Sequence, residues 1–328
     1  MTGTRTSALD RFKETYWYRY KPHLQECELR LTGVTCRPEG TLGEACVHTL
    51  SAGGKRLRPL LVFLSSRKGY RISDAHYAAA AAIELVHSAT LVHDDILDGA
   101  ALRRGRPTLA AAYGIPLGTA AGDYLFSTAF EILATTGSPA ALAALSRAGL
   151  DLSLGELLQR EQEGDFYLTP ESYIKRCRLK TSSLFAAACR FGALFSGCQE
   201  EAVAAAGEFG ARVGLAFQIA DDILDFSGDP ASTGKRAGAD IRDGTVTLPL
   251  LLAMRRDRSI RKLASAGLDE EGIDEVCRLV AASGALEEAR AQGEAYVRQA
   301  KEMLAGLSSE LETEPLAMIA ESTMERKA

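Results

Sequence analysis

The stretch LVHDDILDG, Leu91 to Gly99, puts three carboxylates into five residues bounded by aliphatic side chains. Its core returns at Asp221–Asp225 within QIADDILDF, with DDILD identical in both copies. On a helix, at about 100° per residue, Asp98 stands about 40° round from Asp94, and Asp95 about 100°. Asp94, Asp95 and Asp98 therefore share one arc, where they repel one another unless a cation lies among them. A solvated acidic face is the ordinary outcome for one such cluster. Both copies, however, sit among core-type residues: Leu91, Val92, Ile96 and Leu97 around the first, Ile219, Ile223 and Leu224 around the second. Carboxylates held in otherwise core-facing helices point to inward metal ligands. Hard divalent ions such as Mg²⁺ take one or two carboxylates together with substrate phosphates.

Outward from these two segments the pattern is helical throughout. Apolar residues recur at helical spacing in YAAAAAIELVHSATLVHDDIL and SLGELLQREQEGDF. Turn signals fall between such windows at Gly53-Gly54, Gly137-Ser138-Pro139, Thr169-Pro170 and Gly228-Asp229-Pro230. An all-α chain of roughly ten to thirteen helices is expected, with close helix packing at the alanine runs Ala78–Ala82 and Ala202–Ala206. No linker composition divides the 328 residues, so a single domain is expected over 1–328. Residues 1–20 are expected to include a flexible N-terminal segment, with Tyr16, Trp17, Tyr18 and Tyr20 as a packing surface. Residues 255–328 are more charged and read as peripheral helices.

A formal charge of −5 gives no basic surplus of the kind a nucleic-acid binder shows. The seven cysteines are scattered, odd in number and without CxxC spacing, as expected of buried thiols in a reducing compartment. No apolar run spans a membrane, and the first twenty residues lack the apolar region of a signal peptide, so a cytoplasmic location is expected.

A metal site that handles phosphate also needs cations. GGKRLRP places Lys55, Arg56 and Arg58 after a glycine pair at the expected start of a helix, where amides and guanidinium forks suit a phosphate. RRGRPT (Arg103–Thr108) follows the first acidic segment, and GKRAGAD (Gly234–Asp240) follows the second. Acid followed by base occurs twice, which favours a clamp on a polyanion over two surface ion-pair clusters. His87 lies seven residues before Asp94, on the same helix face, and fits a neutral phosphate donor.

Taken together, GGKRLRP, ELVHSATLVHDDILD, RRGRPT, GDYLF, GELLQ, KTSSLF, FQIADDILDF, GKRAGADI and GTVTLPLLLA resemble the trans-isoprenyl diphosphate (polyprenyl) synthases, in order and spacing from about Gly53 to Ala253. The resemblance implies an isoprenoid-synthase-type helical bundle around a deep central cavity, as a homodimer. It implies three magnesium ions held by Asp94, Asp95 and Asp98 on one side and by Asp221, Asp222 and Asp225 on the other. Lys55, Arg58, His87 and Arg104 match the isopentenyl diphosphate site. Arg103, Lys180, Thr181, Gln218 and Lys235 match the site of the allylic diphosphate, be it dimethylallyl, geranyl or farnesyl. The implied reaction ionises the allylic C1–O bond, the double bond of isopentenyl diphosphate attacks the resulting cation, and a proton leaves, giving a chain five carbons longer. Transient membrane contact on product release goes with such a product.

In this family, bulk just before the first acidic motif sets product length. Here Ala89 and Thr90 are small, and Val86 and Ile83 continue that face. From Asp94 to Ile83 is about 16 Å of helix lined by nothing aromatic, which favours a product of about C30 to C50 over farnesyl diphosphate. Phe126 and Phe130, after Gly122-Asp123, are the residues that would close the tunnel sooner and leave geranylgeranyl diphosphate. A terpene cyclase would not need the GGKRLRP and His87 set. A non-catalytic subunit of a heteromeric synthase would be expected to lose site residues that are kept here.

Overall fold

The computed structural model describes residues 6–227 and 237–325. In chain order its helices are α1 (Ala8–Thr15), α2 (Trp17–Thr35), α3 (Gly40–Ser51), α4 (Leu57–Leu64), α5 (Asp74–Leu97), α6 (Leu109–Tyr113), α7 (Ile115–Ala134), α8 (Pro139–Glu161), α9 (Pro170–Cys177), α10 (Ser183–Phe195) and α11 (Glu200–Ser227). They continue as α12 (Ala239–Arg242), α13 (Leu248–Arg256), α14 (Arg258–Ala264), α15 (Glu270–Ala282), α16 (Ala285–Leu307) and α17 (Thr313–Met324). Many of the segments beyond the expected number are short, such as five-residue α6 and four-residue α12. One two-residue hairpin, β1 (Leu102–Arg103) with β2 (Arg106–Pro107), is the sheet among the described residues.

The sequence turn signals start helices. Ser138 and Thr169 accept the amides of Ala141 and Ser172 at 3.2 Å, each followed by a proline whose missing N–H costs nothing at that position. Ser73 caps α5 in a reciprocal arrangement with His76. From there α5 runs through the interior: Ala78–Ala82, Ile83, Leu85, Val86 and Ala89 are all buried. Small side chains let the axes of α5 and its chief neighbour α7 approach closely, which rigidly sets the wall that carries the first acidic motif.

Both chain ends, as far as they are described, pack onto the rest of the fold. Segment 8–20 is packed structure: Ala8 and Phe12 are buried, and Phe12 stacks on Tyr16 and Tyr20. Arg11–Glu321 (2.9 Å) and Arg19–Glu312 (2.8 Å) tie it to α17 and the turn before it. In the C-terminal part, α16 lies along α11, the helix of the second acidic motif. Its charge hides a buried stripe at helical spacing, Ala285, Ala289, Gly293, Val297, Ala300 and Leu304. No helix among the described residues is long and apolar enough to cross a membrane.

Candidate active site

The last turns of α5 bring His87, Thr90, Leu91 and Asp94 onto a cavity of about 1080 Å³. Facing them are Lys180 and Thr181, then Gln218 and Asp221 of α11. The two acidic motifs thus meet across one opening. A smaller polar cleft beside it is lined by Asp98, Asp222 and Asp240, and shares Lys180, Thr181 and Gln218 with the main cavity.

Each aspartate of the first motif has a cation from a different element. Asp94 lies 3.5 Å from Lys180, Asp95 accepts Arg103 of the hairpin at 2.7 Å, and Asp98 pairs with Arg160 of α8. Asp95 is buried and turned toward the hairpin, away from the main cavity. Burial pushes the Asp94 carboxyl up to about 6, with Lys180 opposing and Glu156 and Asp98 adding to the rise.

The phosphate-directed cations are positioned by two left-handed residues. Arg56 (φ 47°) precedes α4, and its guanidinium is consumed by Glu28 and by Glu84 at 2.6 Å, so this arginine braces the loop. Arg104 (φ 52°) and Gly105 (φ 73°) form the hairpin turn, the positive-φ pair a two-residue turn requires. That turn sends Arg103 to Asp95 and Arg104 to the carbonyl of Gly53. Arg58 lies over the Phe185 ring at 4.8 Å, and its buried Nε has no hydrogen-bond partner among the described residues. Burial, then the charges of Arg58, Arg104, Arg103 and Arg56, hold His87 well below the usual histidine range, so it stays neutral. Lys55 also lines the cavity.

On the opposite wall a buried network orients the second motif. Thr181 donates to Gln218 Oε1 (2.6 Å), Gln218 Nε2 donates to Asp222 (2.8 Å), and the Tyr173 hydroxyl donates to the same carboxylate (2.6 Å). Burial pushes Asp222 up to about 7 despite these donors. Asp225 accepts the amides of Ala239 and Asp240 at 3.1 and 3.2 Å and so anchors the segment after α11. Lys235 lies outside the described residues.

Lys180 and Thr181 sit in a π-helical turn, Arg178–Ser182, which bulges them toward the cavity. Glycines allow it: a Cβ at Gly155 would stand 2.6 Å from the Lys180 nitrogen, and one at Gly214 2.7 Å from the Ser182 Cα. Sequence reasoning did not single out Gly155, Gly214, Glu156, Arg160 or Tyr173. The pair Glu156 and Arg160, at i,i+4 within the quoted GELLQ segment and one residue beyond, was the available signal.

For product length, Thr90 and Phe126 line the cavity. Ala89, Val86 and Ile83 do not; they are fully buried in the helix core, so the expected deep groove along α5 is closed. Phe130 stacks against Phe126 at 5.3 Å, and Phe126 rests on Gly149, where a Cβ would come within 3.1 Å of its ring.

Among the described residues no three histidine, cysteine or acidic side chains converge tightly enough to hold a metal alone. The donors are all hard oxygens on two facing walls, beside the buried Arg58 Nε, which has no hydrogen-bond partner among the described residues. That set fits Mg²⁺ completed by diphosphate oxygens.

An all-α fold around a largely apolar cavity with acidic and basic residues at its mouth is the architecture of an enzyme acting on prenyl diphosphates. The chain belongs to the polyprenyl synthetase family, whose model matches residues 39–281, and it is a prenyltransferase. It is 40% identical over 271 residues to heptaprenyl diphosphate synthase component 2 of Geobacillus stearothermophilus, covering 82% of this chain and 84% of that protein. It is 39% identical over 298 residues to a short chain isoprenyl diphosphate synthase of Methanothermobacter thermautotrophicus, covering 88% and 91%. Among solved structures, the polyprenyl synthase of Caulobacter crescentus complexed with calcium and isoprenyl diphosphate superposes with a TM-score of 0.87 at 31% identity, covering 99% of this chain and 100% of that one.

Proposed function

We propose that this chain, as one domain, is a magnesium-dependent synthase that condenses an allylic diphosphate with isopentenyl diphosphate. The observation that carries this is the convergence on one cavity of both aspartate motifs and of Arg58, whose buried Nε has no hydrogen-bond partner among the described residues. Magnesium, when bound, supplies positive charge at the leaving diphosphate. Asp94, Asp98, Asp221 and Asp222 would hold it, while Asp95 and Asp225 position the hairpin and the segment after α11. Lys180 and Arg103 line the cavity within reach of an allylic diphosphate, and the Thr181–Gln218 pair sets polar oxygens beside its reacting end. Lys55, Arg58, Arg104 and neutral His87 form the second anion site, for isopentenyl diphosphate. The apolar walls below exclude water from the growing chain.

The product we propose is an all-trans chain of about C30 to C50, because Thr90, the α5 residue that lines the cavity one turn below Asp94, is small where a bulky side chain would shorten it. Phe126 in the cavity wall favours the second reading, geranylgeranyl diphosphate. Purified protein incubated with Mg²⁺, farnesyl diphosphate and labelled isopentenyl diphosphate should place label in a longer prenyl chain; no incorporation sinks the assignment. Chromatography of that product separates the two lengths. Thr90→Phe should shorten it and Phe126→Ala lengthen it, and no change in either variant would remove both residues from length control.

A homodimer is proposed on the outer face of α8, where Leu150, Leu154 and Leu157 stand 58, 51 and 60% exposed at helical spacing. Leu157 also lines the cavity, so a second copy there would complete its wall. The heteromeric alternative, suggested by a relative described as a component, predicts no activity from the purified chain alone.

A further inference from the structure

Three aspartates and Glu156 crowd the end of α5 and the facing turn of α8, and in this structure each aspartate is neutralised by its own cation. Two of those cations, Lys180 and Arg103, line the main cavity and can turn to a bound diphosphate. Arg160 is different: it does not line that cavity or the adjoining cleft, and reaches Asp98 from α8 outside them. Its guanidinium touches three carboxylates at once. Nη2 pairs with Asp98, Nε lies 3.2 Å from Glu156, and Nη1 lies 2.8 Å from Glu163. Glu156 lies one helical turn before Arg160, and Glu163 lies three residues after it in the turn that ends α8, so both are held beside it by the local chain wherever Asp98 points.

We propose that Arg160 is a built-in counter-ion that occupies Asp98 until metal arrives and then retires onto Glu156 and Glu163, setting the metal concentration at which the site fills. This rests on Asp98 being a metal ligand. Without a cation, Asp94, Asp98 and Glu156 would repel one another and splay the end of α5. With Arg160 in place the carboxylates stay aimed, and a divalent ion need only exchange for one arm of a guanidinium that keeps two other partners. Arg160 is thus a positioning residue, acting through Asp98 and never on substrate.

The two ends of the exchange predict shifts of opposite sign. Mn²⁺ binding in the presence of inorganic pyrophosphate, followed by electron paramagnetic resonance, reads the site without turnover. Arg160→Gln should tighten Mn²⁺ about two- to fivefold, the scale of a partly exposed ion pair. Glu163→Gln should weaken it, because Arg160 then stays on Asp98. A simple loss of structure would weaken both, and equal or same-direction shifts overturn the proposal. Asp98→Asn is the control: if it leaves Mn²⁺ binding unchanged, Asp98 is not a ligand and both assignments fall. If it weakens binding while Arg160→Gln has no effect, only the counter-ion role falls.

Discussion

Asp94 and Asp222 are carboxylates that burial raises to about 6 and about 7, against an ordinary value of about 3.9. Between about pH 4 and pH 7 the folded chain therefore binds more protons at these sites than the unfolded chain does. Linkage gives the sign: stability falls as pH rises through that window. The metal-free protein should melt lower at pH 8 than at pH 5, and Mg²⁺ with pyrophosphate should raise the melting temperature more at pH 8. Calorimetry checks this, and Asp222→Asn should flatten the slope; an unchanged slope would remove Asp222 as its source. His87 runs the other way. Its depressed pKa keeps it neutral, and protonating it costs stability below the usual histidine range.

At the scale of elements, the π turn is the piece on which the allylic side depends. Gly155 of α8 abuts the Lys180 backbone and Gly214 of α11 abuts Ser182, so both neighbouring helices must be bare of side chain there. Gly155→Ala would push the turn by a fraction of an ångström to an ångström and carry Lys180 and Thr181 with it. A shift of that size in a positioned group costs up to about 100-fold in rate. We expect kcat to fall tens-fold or more with a modest drop in melting temperature. Full activity in steady-state kinetics would mean that the turn is not what places Lys180. The acidic motifs themselves were legible because helical spacing is local: Asp94 and Asp98 share a face whatever surrounds them. The partners of those motifs were not. Tyr173 meets Asp222 across 49 positions and Arg160 meets Asp98 across 62, through contacts that only helix packing creates.

At the scale of the molecule, the exposed leucines of α8 and the cavity are connected through Leu157. Leu154→Glu places a charge on the proposed dimer face without touching the aspartates. Sedimentation should show a monomer in place of a dimer, with reduced activity because one cavity wall is left open. A dimer that persists would move the interface elsewhere. Pairing of α1 with α17 closes the other side of the molecule, and the stripe on α16 packs under α11. Local composition hid both: short helices and charged windows read as periphery until the buried face of each is counted separately from the exposed one.

By itself the sequence determined the helical class, the two DDILD motifs and the cations that follow them. Each of these rests on spacing along one helix or on residue chemistry, which does not depend on distant contacts. Only the tertiary structure decided how deep the cavity runs and which cation faces which acid. Ala89, Val86 and Ile83 are as small or as apolar as a tunnel would need, yet neighbouring helices fill the space beside them, and Phe126 from α7 stands at the wall instead. Whether an apolar helix face borders a void or another helix depends on where the next helix lies, and that is a property of packing.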